Sequence, residues 1–364
     1  MQGFCAGSLC HAALRLVVLG RKVAAEPARL ADHALRAAAG GPWSVLVPEP
    51  GAVAEGQVLT GLSEAELARL DFHMAVLGQV PVVQTVVTGA GAVVARLHLG
   101  PGSGRWQAAA WLARDAGTAV AVARDVMARF GRVKAPEIAA RLGPMLVRAA
   151  SRVRAAHSAP TELRWRAAAG DVVVAAERLP YAQFFAVEEY DVAWRRFDGA
   201  LSPSVKRAAF ILGDAVTVLP YDPRRDLVLV VEQFRAGPLA RGDAQAWQIE
   251  AIAGRIDPGE TPEAAARREA VEEAGLRLTA LIPVAQYYPS TGAVSEYVYS
   301  YVALTDLPEG SAGVFGVASE AEDIRGHLIS FDRLMDLVAS GEVENAPLIL
   351  TALWLQRERG RLRL

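Results

Sequence analysis

The segment from Gly254 to Leu276 constrains the fold of this 364-residue chain more than any other stretch. Thr261 is suited to cap a helix N-terminus, and Pro262 suits the first helical position, where its missing N–H needs no partner. Good helix formers follow, and Gly275 can take the left-handed conformation that ends a helix. The segment therefore predicts a loop, a helix of roughly three turns and a second loop.

Carboxylates are concentrated on one face of this predicted helix. Glu269, Glu272 and Glu273 are spaced so that their side chains share a face. Like charges at such spacing destabilise an exposed helix by roughly 0.2–0.5 kcal/mol per pair, and a hard divalent cation removes that penalty. Arg268 can pair with a carboxylate and fix its orientation, and Glu260 lies in the preceding loop. The pattern predicts a Mg²⁺ site beside substrate phosphates.

A solvated acidic helix face without a ligand is the alternative interpretation of these carboxylates. The flanking residues argue against it, because seven positions recur in the order Gly, five residues, Glu, seven residues, Arg-Glu, two residues, Glu-Glu, one residue, Gly. These positions are Gly254, Glu260, Arg268, Glu269, Glu272, Glu273 and Gly275. At roughly 0.06 per position, a chance match in this chain is on the order of 10⁻⁶. The order is that of the Nudix box, with Ala270 smaller than the usual aliphatic residue.

Residues 159–364 resemble the ADP-ribose pyrophosphatase branch of the Nudix hydrolases beyond the box itself. The matching stretches are Gly213–Arg235, Trp247–Gly254, Ala318–His327 and Gly341–Gln356. The resemblance implies an α+β fold with a Nudix α/β/α sandwich around a mixed sheet. It also implies hydrolysis of ADP-ribose to AMP and ribose 5-phosphate, Mg²⁺ as cofactor with Mn²⁺ as an alternative, and a homodimer formed through this domain.

The resemblance assigns roles in metal and diphosphate binding. Glu269 and Glu273, with the backbone carbonyl of Ala253, are expected to hold the metal ions, and Glu272 to lie beside or among them. Arg235 is expected to reach the diphosphate, for which a bidentate guanidinium is suited. A surface arginine at the end of a strand is the alternative for Arg235.

Further roles concern the nucleoside and the attacking water. Arg207 is expected to help hold adenine or the partner subunit, and Phe184 or Phe185 to stack on adenine. A strand aromatic that belongs to the core is the alternative for both phenylalanines. In this branch an acidic loop supplies the general base, which here is Glu320 or Glu322.

One departure concerns the substrate. ADP-ribose-specific members carry Ser-Pro-Gly-Gly downstream of the box, whereas this chain reads Ser290-Thr291-Gly292-Ala293. The alternatives are therefore a Nudix hydrolase of another nucleoside diphosphate derivative, such as an ADP-sugar or NADH, and a non-catalytic nucleotide-sensing module. The complete set of box acids argues against the sensing module.

Residues 1–105 resemble the γ-glutamylcyclotransferase-like fold, which implies a small N-terminal β-barrel domain. The matching pieces are Gly7–Leu9, Leu19–Arg21, Trp43–Pro48 and Leu70–His73. The family's substrate-binding Tyr is replaced by Ala6 and its acid by Met74. Because methionine cannot transfer a proton, we expect this domain to lack cyclotransferase activity. His73 is interpreted as a structural histidine.

Helical spacing in the Ala-rich residues 106–158 predicts a helical connector between the two domains. The resulting layout resembles that of Nudix proteins associated with tellurite resistance. Within the second domain, Ala215–Leu219 and Leu227–Gln233 are predicted strands, joined by a turn at Pro220–Pro223.

Composition limits the partners of the chain. The net charge of −2 gives no electrostatic basis for binding nucleic acid, and no apolar run reaches the ~20 residues of a membrane span. A small nucleoside diphosphate is the expected partner. Two cysteines are too few for a disulfide framework, and a cytoplasmic location is expected.

Overall fold

The computed structural model describes residues 2–156, 160–317 and 321–363. Contacts divide the chain into an N-terminal unit, Met1–Arg166, and a C-terminal unit, Ala167–Leu364. The helices within the described ranges are all too short or too polar to cross a bilayer.

The N-terminal unit begins with strands and ends with helices. Its strands are β1 (Gln2–Ala6), β2 (Ala25–Ala38), β3 (Ser44–Leu59), β4 (Val80–Thr88), β5 (Gly91–Leu99) and β6 (Gly102–Arg105). Its helices are a 3₁₀ turn (Gly7–Cys10), α1 (Ala12–Leu19), α2 (Glu64–Val76), α3 (Ala108–Arg114), α4 (Ala116–Met127), α5 (Ala135–Ala139) and α6 (Leu142–Ala155).

Five of these strands close into a barrel. The hydrogen-bonded circuit runs β1, β3, β2, β4, β5 and back to β1, while β6 adds to β2 at the rim. Alternating residues fill the interior, among them Phe4, Leu30, Val86 and Leu97. The predicted N-terminal β-barrel is therefore confirmed.

The Ala-rich helices share a core with the helices that precede them. Trp111 of α3, Val122 of α4 and Leu146 of α6 pack in one buried cluster with Leu14 of α1 and Leu70 of α2. Small alanine side chains allow these helices to approach closely, and α4 and α6 run against each other. Residues 106–156 thus belong to the N-terminal unit.

The C-terminal unit contains eleven strands and four helices among its described residues. Its strands are β7 (Val172–Ala182), β8 (Ala186–Trp194), β9 (Val205–Ile211), β10 (Ala215–Asp222), β11 (Leu227–Phe234), β12 (Trp247–Glu250), β13 (Ile252–Arg255), β14 (Ala280–Tyr287), β15 (Val298–Leu304), β16 (Val314–Phe315) and β17 (Ile324–Ser330). Its helices are α7 (Ala236–Arg241), α8 (Pro262–Ala274), α9 (Phe331–Ser340) and α10 (Ala346–Leu362).

The larger sheet of this unit is mixed and lies between two helical layers. Its order is β14-β15-β10-β11-β17-β16, with β12 paired to β11 and β13 paired to β10. The pair β10–β15 is parallel and its other pairs are antiparallel. Helix α8 packs on one face and α9 and α10 on the other. The predicted α/β/α sandwich is confirmed, and a separate sheet of β7, β8 and β9 precedes it.

The turn between β10 and β11 lies three residues later than the sequence predicts. Strand β10 continues to Asp222, which pairs with Leu227, so the turn is formed by residues 223–226. The buried Asp222 carboxylate fixes this position because its Oδ1 accepts hydrogen bonds from the backbone N–H groups of Arg224 (3.0 Å) and Arg225 (3.1 Å). Its Oδ2 accepts from Leu307 N (3.1 Å).

We predict that Asp222→Asn destabilises the C-terminal unit by about 2 kcal/mol, because the new amide sets a donor against the N–H of Leu307 in a buried position. Denaturant unfolding followed by fluorescence measures the change. The matched control is Asp306→Asn, at an exposed position next to Leu307. Equal unfolding midpoints of the two variants would contradict the role given to Asp222.

Candidate active site

Helix α8 begins and ends at the residues that the sequence marks. The Thr261 hydroxyl accepts a hydrogen bond from Ala264 N (3.1 Å), Pro262 is the first helical residue, and Gly275 has a φ of 62°. The face of α8 toward the sheet is made of alanines, namely Ala265, Ala266, Ala270 and Ala274. These small side chains bring the helix close to β10 and β13, so the carboxylates on its flank lie directly against the strands.

Two carboxylates of the box are buried at this junction. The exposed fraction is 9% for Glu269 and 2% for Glu273. Glu273 Oε2 accepts a hydrogen bond from Ala253 N (3.0 Å). Glu269 lies over Gly254, where even a Cβ atom would overlap its carboxylate. The glycine of the box is therefore required by the close approach of Glu269.

One guanidinium connects the acids of the box. Arg268 donates to Glu260 through Nε (3.1 Å) and Nη2 (3.0 Å), and through Nη1 to Glu269 (2.7 Å) and Glu272 (2.9 Å). Its Nη2 also donates to the backbone oxygen of Arg255 (2.9 Å). The structure thus brings the preceding loop, the strand β13 and the helix face together around a single cation.

This arrangement leaves an excess of buried negative charge. Burial raises the pKa of Glu269 to about 7, against the attraction of Arg268, and Glu272 and Glu322 raise it further. Burial also raises the pKa of Glu273 to about 8, opposed by the Ala253 N–H and increased by the charge of Glu269. The folded protein therefore stabilises the protonated form of both side chains unless another positive charge is supplied.

The donor set fits a hard divalent cation. Its members are carboxylate and backbone oxygens, which Mg²⁺ prefers, and a cation there would offset the charge that raises both pKa values. Within residues 2–156, 160–317 and 321–363, no three His, Cys, Asp or Glu side chains already converge as a ligand cluster. The assignment of Glu269, Glu272, Glu273 and the Ala253 carbonyl as ligands stays a prediction.

Arg235 follows β11 and points toward the same acids. It donates to Glu250 Oε2 through Nε (2.9 Å) and Nη2 (2.6 Å). Burial lowers the pKa of Arg235, but the charge of Glu250, with smaller effects of Glu273 and Glu322, outweighs it and leaves the pKa raised. Its side chain is 40% exposed.

The partners of Arg235 were not found from the sequence. Glu250 is buried, and its Oε1 accepts from Asn345 Nδ2 (3.0 Å), 95 residues away along the chain. The available signal in the sequence was the glutamate at the end of the short run Trp247-Gln248-Ile249-Glu250. Glu296 was also missed: burial raises its pKa, and the charge of Arg235 opposes the rise.

Of the two candidate bases, only Glu322 lies within the described residues. Its Oε2 accepts a hydrogen bond from Val317 N (3.1 Å). Its charge raises the pKa of both Glu269 and Glu273, which shows that it lies near the acids of the box. Glu320 lies outside the described residues.

The predicted nucleoside-binding residues belong to the three-stranded sheet and its first turn, with Phe184 and Phe185 in the turn between β7 and β8. Phe184 is 57% exposed. The guanidinium of Arg255 lies over its ring, 3.8 Å from the ring centroid, in a cation–π contact. Phe185 is half-buried against Phe210, with ring centroids 5.1 Å apart. Because Arg255 follows Gly254 of the box, Phe184 is the phenylalanine that is joined to the site. Stacking of either ring on adenine stays a prediction.

Arg207 is not joined to the acid cluster by any contact found in the described part of the chain. It lies on β9, where its guanidinium is 5.4 Å from the ring centroid of Trp194 and its Nη1 donates to the Lys206 backbone oxygen (3.0 Å). Its role in holding adenine or a partner subunit stays a prediction.

A second set of candidate residues lies on α2 of the N-terminal unit. Met74 and His73 line a cavity of about 20 Å³ with Ser8 and Ser44, roughly the room that one water molecule needs. Burial lowers the pKa of His73 to about 4, with a smaller effect of His98. His73 packs edge-on against Trp43, but its Nδ1 has no hydrogen-bond partner among the described residues.

Comparisons with known proteins agree on the C-terminal unit. A family model described as the NUDIX domain matches residues 212–350. The ADP-ribose pyrophosphatase of Escherichia coli (strain K12) is 38% identical over 186 residues, which cover 51% of this chain and 88% of that protein. The Haemophilus influenzae protein of the same name is 30% identical over 194 residues, covering 53% and 89%. A GDP-mannose pyrophosphatase of Enterobacter sp. (strain 638) is 32% identical over 152 residues, covering 42% and 78%.

The raised pKa values predict how stability depends on pH. The pKa of Glu273 rises from 4.5 in the unfolded chain to about 8 in the folded protein. Its protonated form therefore contributes stability that is fully present below pH 4.5. This contribution is lost as pH rises through 8. In chelator, we expect the free energy of unfolding of the wild-type protein to fall between pH 5.5 and 8.5. The decrease per pH unit should be larger for the wild-type protein than for Glu273→Gln, and the difference should reach at most about 1.4 kcal/mol.

The matched control for this measurement is Glu342→Gln, at an exposed position outside the site, which should follow the wild-type curve. Parallel curves for the wild-type protein and Glu273→Gln would mean that Glu273 does not titrate in this range.

Proposed function

The chain belongs to the Nudix family and is one of its pyrophosphohydrolases, and on this basis we propose that it hydrolyses the diphosphate of ADP-ribose to AMP and ribose 5-phosphate. The observation that carries the proposal is the assembly of the box acids around Arg268, with Arg235 turned toward them from the end of β11. The similarity to two ADP-ribose pyrophosphatases supports the choice of substrate.

Glu269, Glu273 and the Ala253 carbonyl, with Glu272 beside them, would hold the divalent cation, for which we propose Mg²⁺ with Mn²⁺ as an alternative. The cation would supply charge neutralisation and polarisation of a phosphorus atom. Arg268 orients the carboxylates by occupying Glu260, Glu269 and Glu272 with separate N–H groups.

Arg235 has the chemistry to bind a phosphate oxygen of the substrate. Both of its hydrogen bonds to Glu250 end on one oxygen, and the buried Glu250 is in turn fixed by Asn345. This pairing holds the guanidinium in place before substrate arrives, so less freedom is lost on binding. Phe184, which already packs on Arg255, is the better placed of the two phenylalanines to stack on a base.

A water molecule attacks one phosphorus, and its proton passes to Glu320 or Glu322. Glu322 is supported by its influence on the pKa values of Glu269 and Glu273. The bond between that phosphorus and the bridging oxygen then breaks, and the other phosphate leaves with the bridging oxygen, so that each product, AMP and ribose 5-phosphate, keeps one phosphate. Arg235 would stabilise the charge that develops on the departing phosphate.

We also propose that the protein is a homodimer through the C-terminal unit. Apolar side chains of the sheet of β7, β8 and β9 are exposed, among them Val172, Val173, Val174 and Trp194. Val172 and Trp194 are neighbours across the β7–β8 pair, and clustered exposed apolar side chains are typical of protein interfaces. A cytoplasmic location is proposed because both cysteines are free thiols.

A second substrate class is favoured by two observations. The segment Ser290–Ala293 departs from the pattern of ADP-ribose-specific enzymes, and a GDP-mannose pyrophosphatase is among the similar proteins. A sugar nucleotide other than ADP-ribose is therefore the alternative substrate.

The test is a panel of ADP-ribose, ADP-glucose, GDP-mannose, NADH and FAD, each incubated with the purified protein and Mg²⁺ and followed by product identification. We expect the highest kcat/KM for ADP-ribose, with AMP and ribose 5-phosphate as products. A higher value for a sugar nucleotide would select the alternative, and no hydrolysis of any compound would contradict the proposal.

Three variants assign the roles within the site. Glu269→Gln should lose several kcal/mol of transition-state stabilisation, at least about a hundredfold in rate. Of Glu320→Gln and Glu322→Gln, the one that removes the base should lower kcat by roughly 10²- to 10⁴-fold, with the loss relieved as pH rises. The control Glu342→Gln should keep the wild-type rate, and a fully active Glu269→Gln would refute the assignment of the site.

A further inference from the structure

The two cysteines of the chain bracket one short turn of the N-terminal unit. They are Cys5, near the end of β1, and Cys10, at the end of the 3₁₀ turn, in the sequence Cys-Ala-Gly-Ser-Leu-Cys. Cys5 is buried and Cys10 is half-buried. The turn brings residues five apart back toward each other, since Cys10 Sγ lies 3.4 Å from the backbone oxygen of Cys5.

The two thiols pack in the same apolar cluster, and a cation lies close to Cys10. The interaction between the two thiols raises the pKa of Cys5 and lowers that of Cys10, in Cys10 against the effect of burial. Arg15 Nη1 donates to the Cys10 backbone oxygen (3.2 Å) and to Gln57 Oε1 (2.7 Å), which holds the guanidinium near both sulfurs. The charge of Arg15 lowers the pKa of Cys10 further.

These contacts give the two cysteines different chemistry. The thiolate is the reactive form of cysteine, and cationic, partly exposed surroundings favour it. Cys10 has such surroundings and access to solvent, whereas Cys5 is enclosed next to it. A partly exposed thiolate beside a second thiol is the arrangement in which oxidation ends in a disulfide.

We propose that Cys5 and Cys10 form a redox-sensitive dithiol, which a hydroperoxide oxidises to an intramolecular disulfide across the 3₁₀ turn. The Cys10 thiolate attacks the peroxide, the O–O bond breaks, and Cys10 becomes a sulfenic acid while the other oxygen leaves as an alcohol or water. The Cys5 thiol then attacks the Cys10 sulfur, the S–O bond breaks, and water leaves. The two thiols lose two electrons in total, and these reduce the peroxide.

The disulfide would fix a turn that lines the cavity of the barrel. Ser8, in the middle of the turn, donates its backbone N–H to Ser44 Oγ (2.8 Å), and both residues line the cavity with Cys5. Oxidation therefore closes a ring of six residues around one wall of that cavity. The dithiol lies in a different unit from the box acids. Its oxidation can therefore be tested independently of the proposed hydrolase activity.

The test is treatment of the full-length protein with a small excess of hydrogen peroxide, followed by alkylation and mass spectrometry. We expect both free thiols to be lost together, a mass lower by two hydrogen atoms, a peptide cross-linked between Cys5 and Cys10, and full recovery of both thiols with a dithiol reductant. In the untreated protein, limited alkylation should modify Cys10 before Cys5.

Two variants keep the test decisive. Cys5→Ser should stop at a sulfenic acid on Cys10 that a cyclic diketone traps, and Cys10→Ser should leave Cys5 unmodified by the same treatment. The inference is overturned if the wild-type protein keeps both thiols, if Cys10 oxidises to the sulfinic acid while Cys5 stays free, or if disulfides form only between two chains.

Discussion

The C-terminal unit depends on how it accommodates several negative charges beside a single guanidinium. Arg268 donates to Glu260, Glu269 and Glu272, while Glu273 is buried nearby and accepts a hydrogen bond from the backbone N–H of Ala253. Burying charge in this way is costly unless it is neutralised. The raised pKa values of Glu269 and Glu273 express this cost, and they make the site one that gains from binding a divalent cation.

The surrounding fold makes the close approach of these charges necessary. Alanines on α8 let the helix lie near the sheet, and Gly254 on β13 leaves room for the Glu269 carboxylate. Arg235 reaches the same region from the end of β11, where Glu250 and Asn345 hold it. The predicted phosphate-binding group is therefore close enough to the predicted metal ligands for the charge of Glu273 to raise its pKa.

Local patterns predicted the features that depend on a few consecutive residues. The cap at Thr261, the end at Gly275 and the shared face of Glu269 and Glu273 follow from helical geometry alone. The partners of Arg235 could not be predicted, because Asn345 meets Glu250 only through the tertiary fold. The turn after β10 was placed too early because its position depends on the buried Asp222 carboxylate rather than on the prolines, and Leu307, which also binds that carboxylate, lies 85 residues away.

The most direct test of the account is calorimetry of Mn²⁺ or Mg²⁺ binding at pH 7, carried out in two buffers that differ in ionisation enthalpy. With pKa values of about 7 and 8, Glu269 and Glu273 together carry roughly 1.4 protons at this pH. We predict that each binding event releases about this number of protons, and that Glu273→Gln reduces the number released. Binding without proton release, or no binding at all, would contradict it.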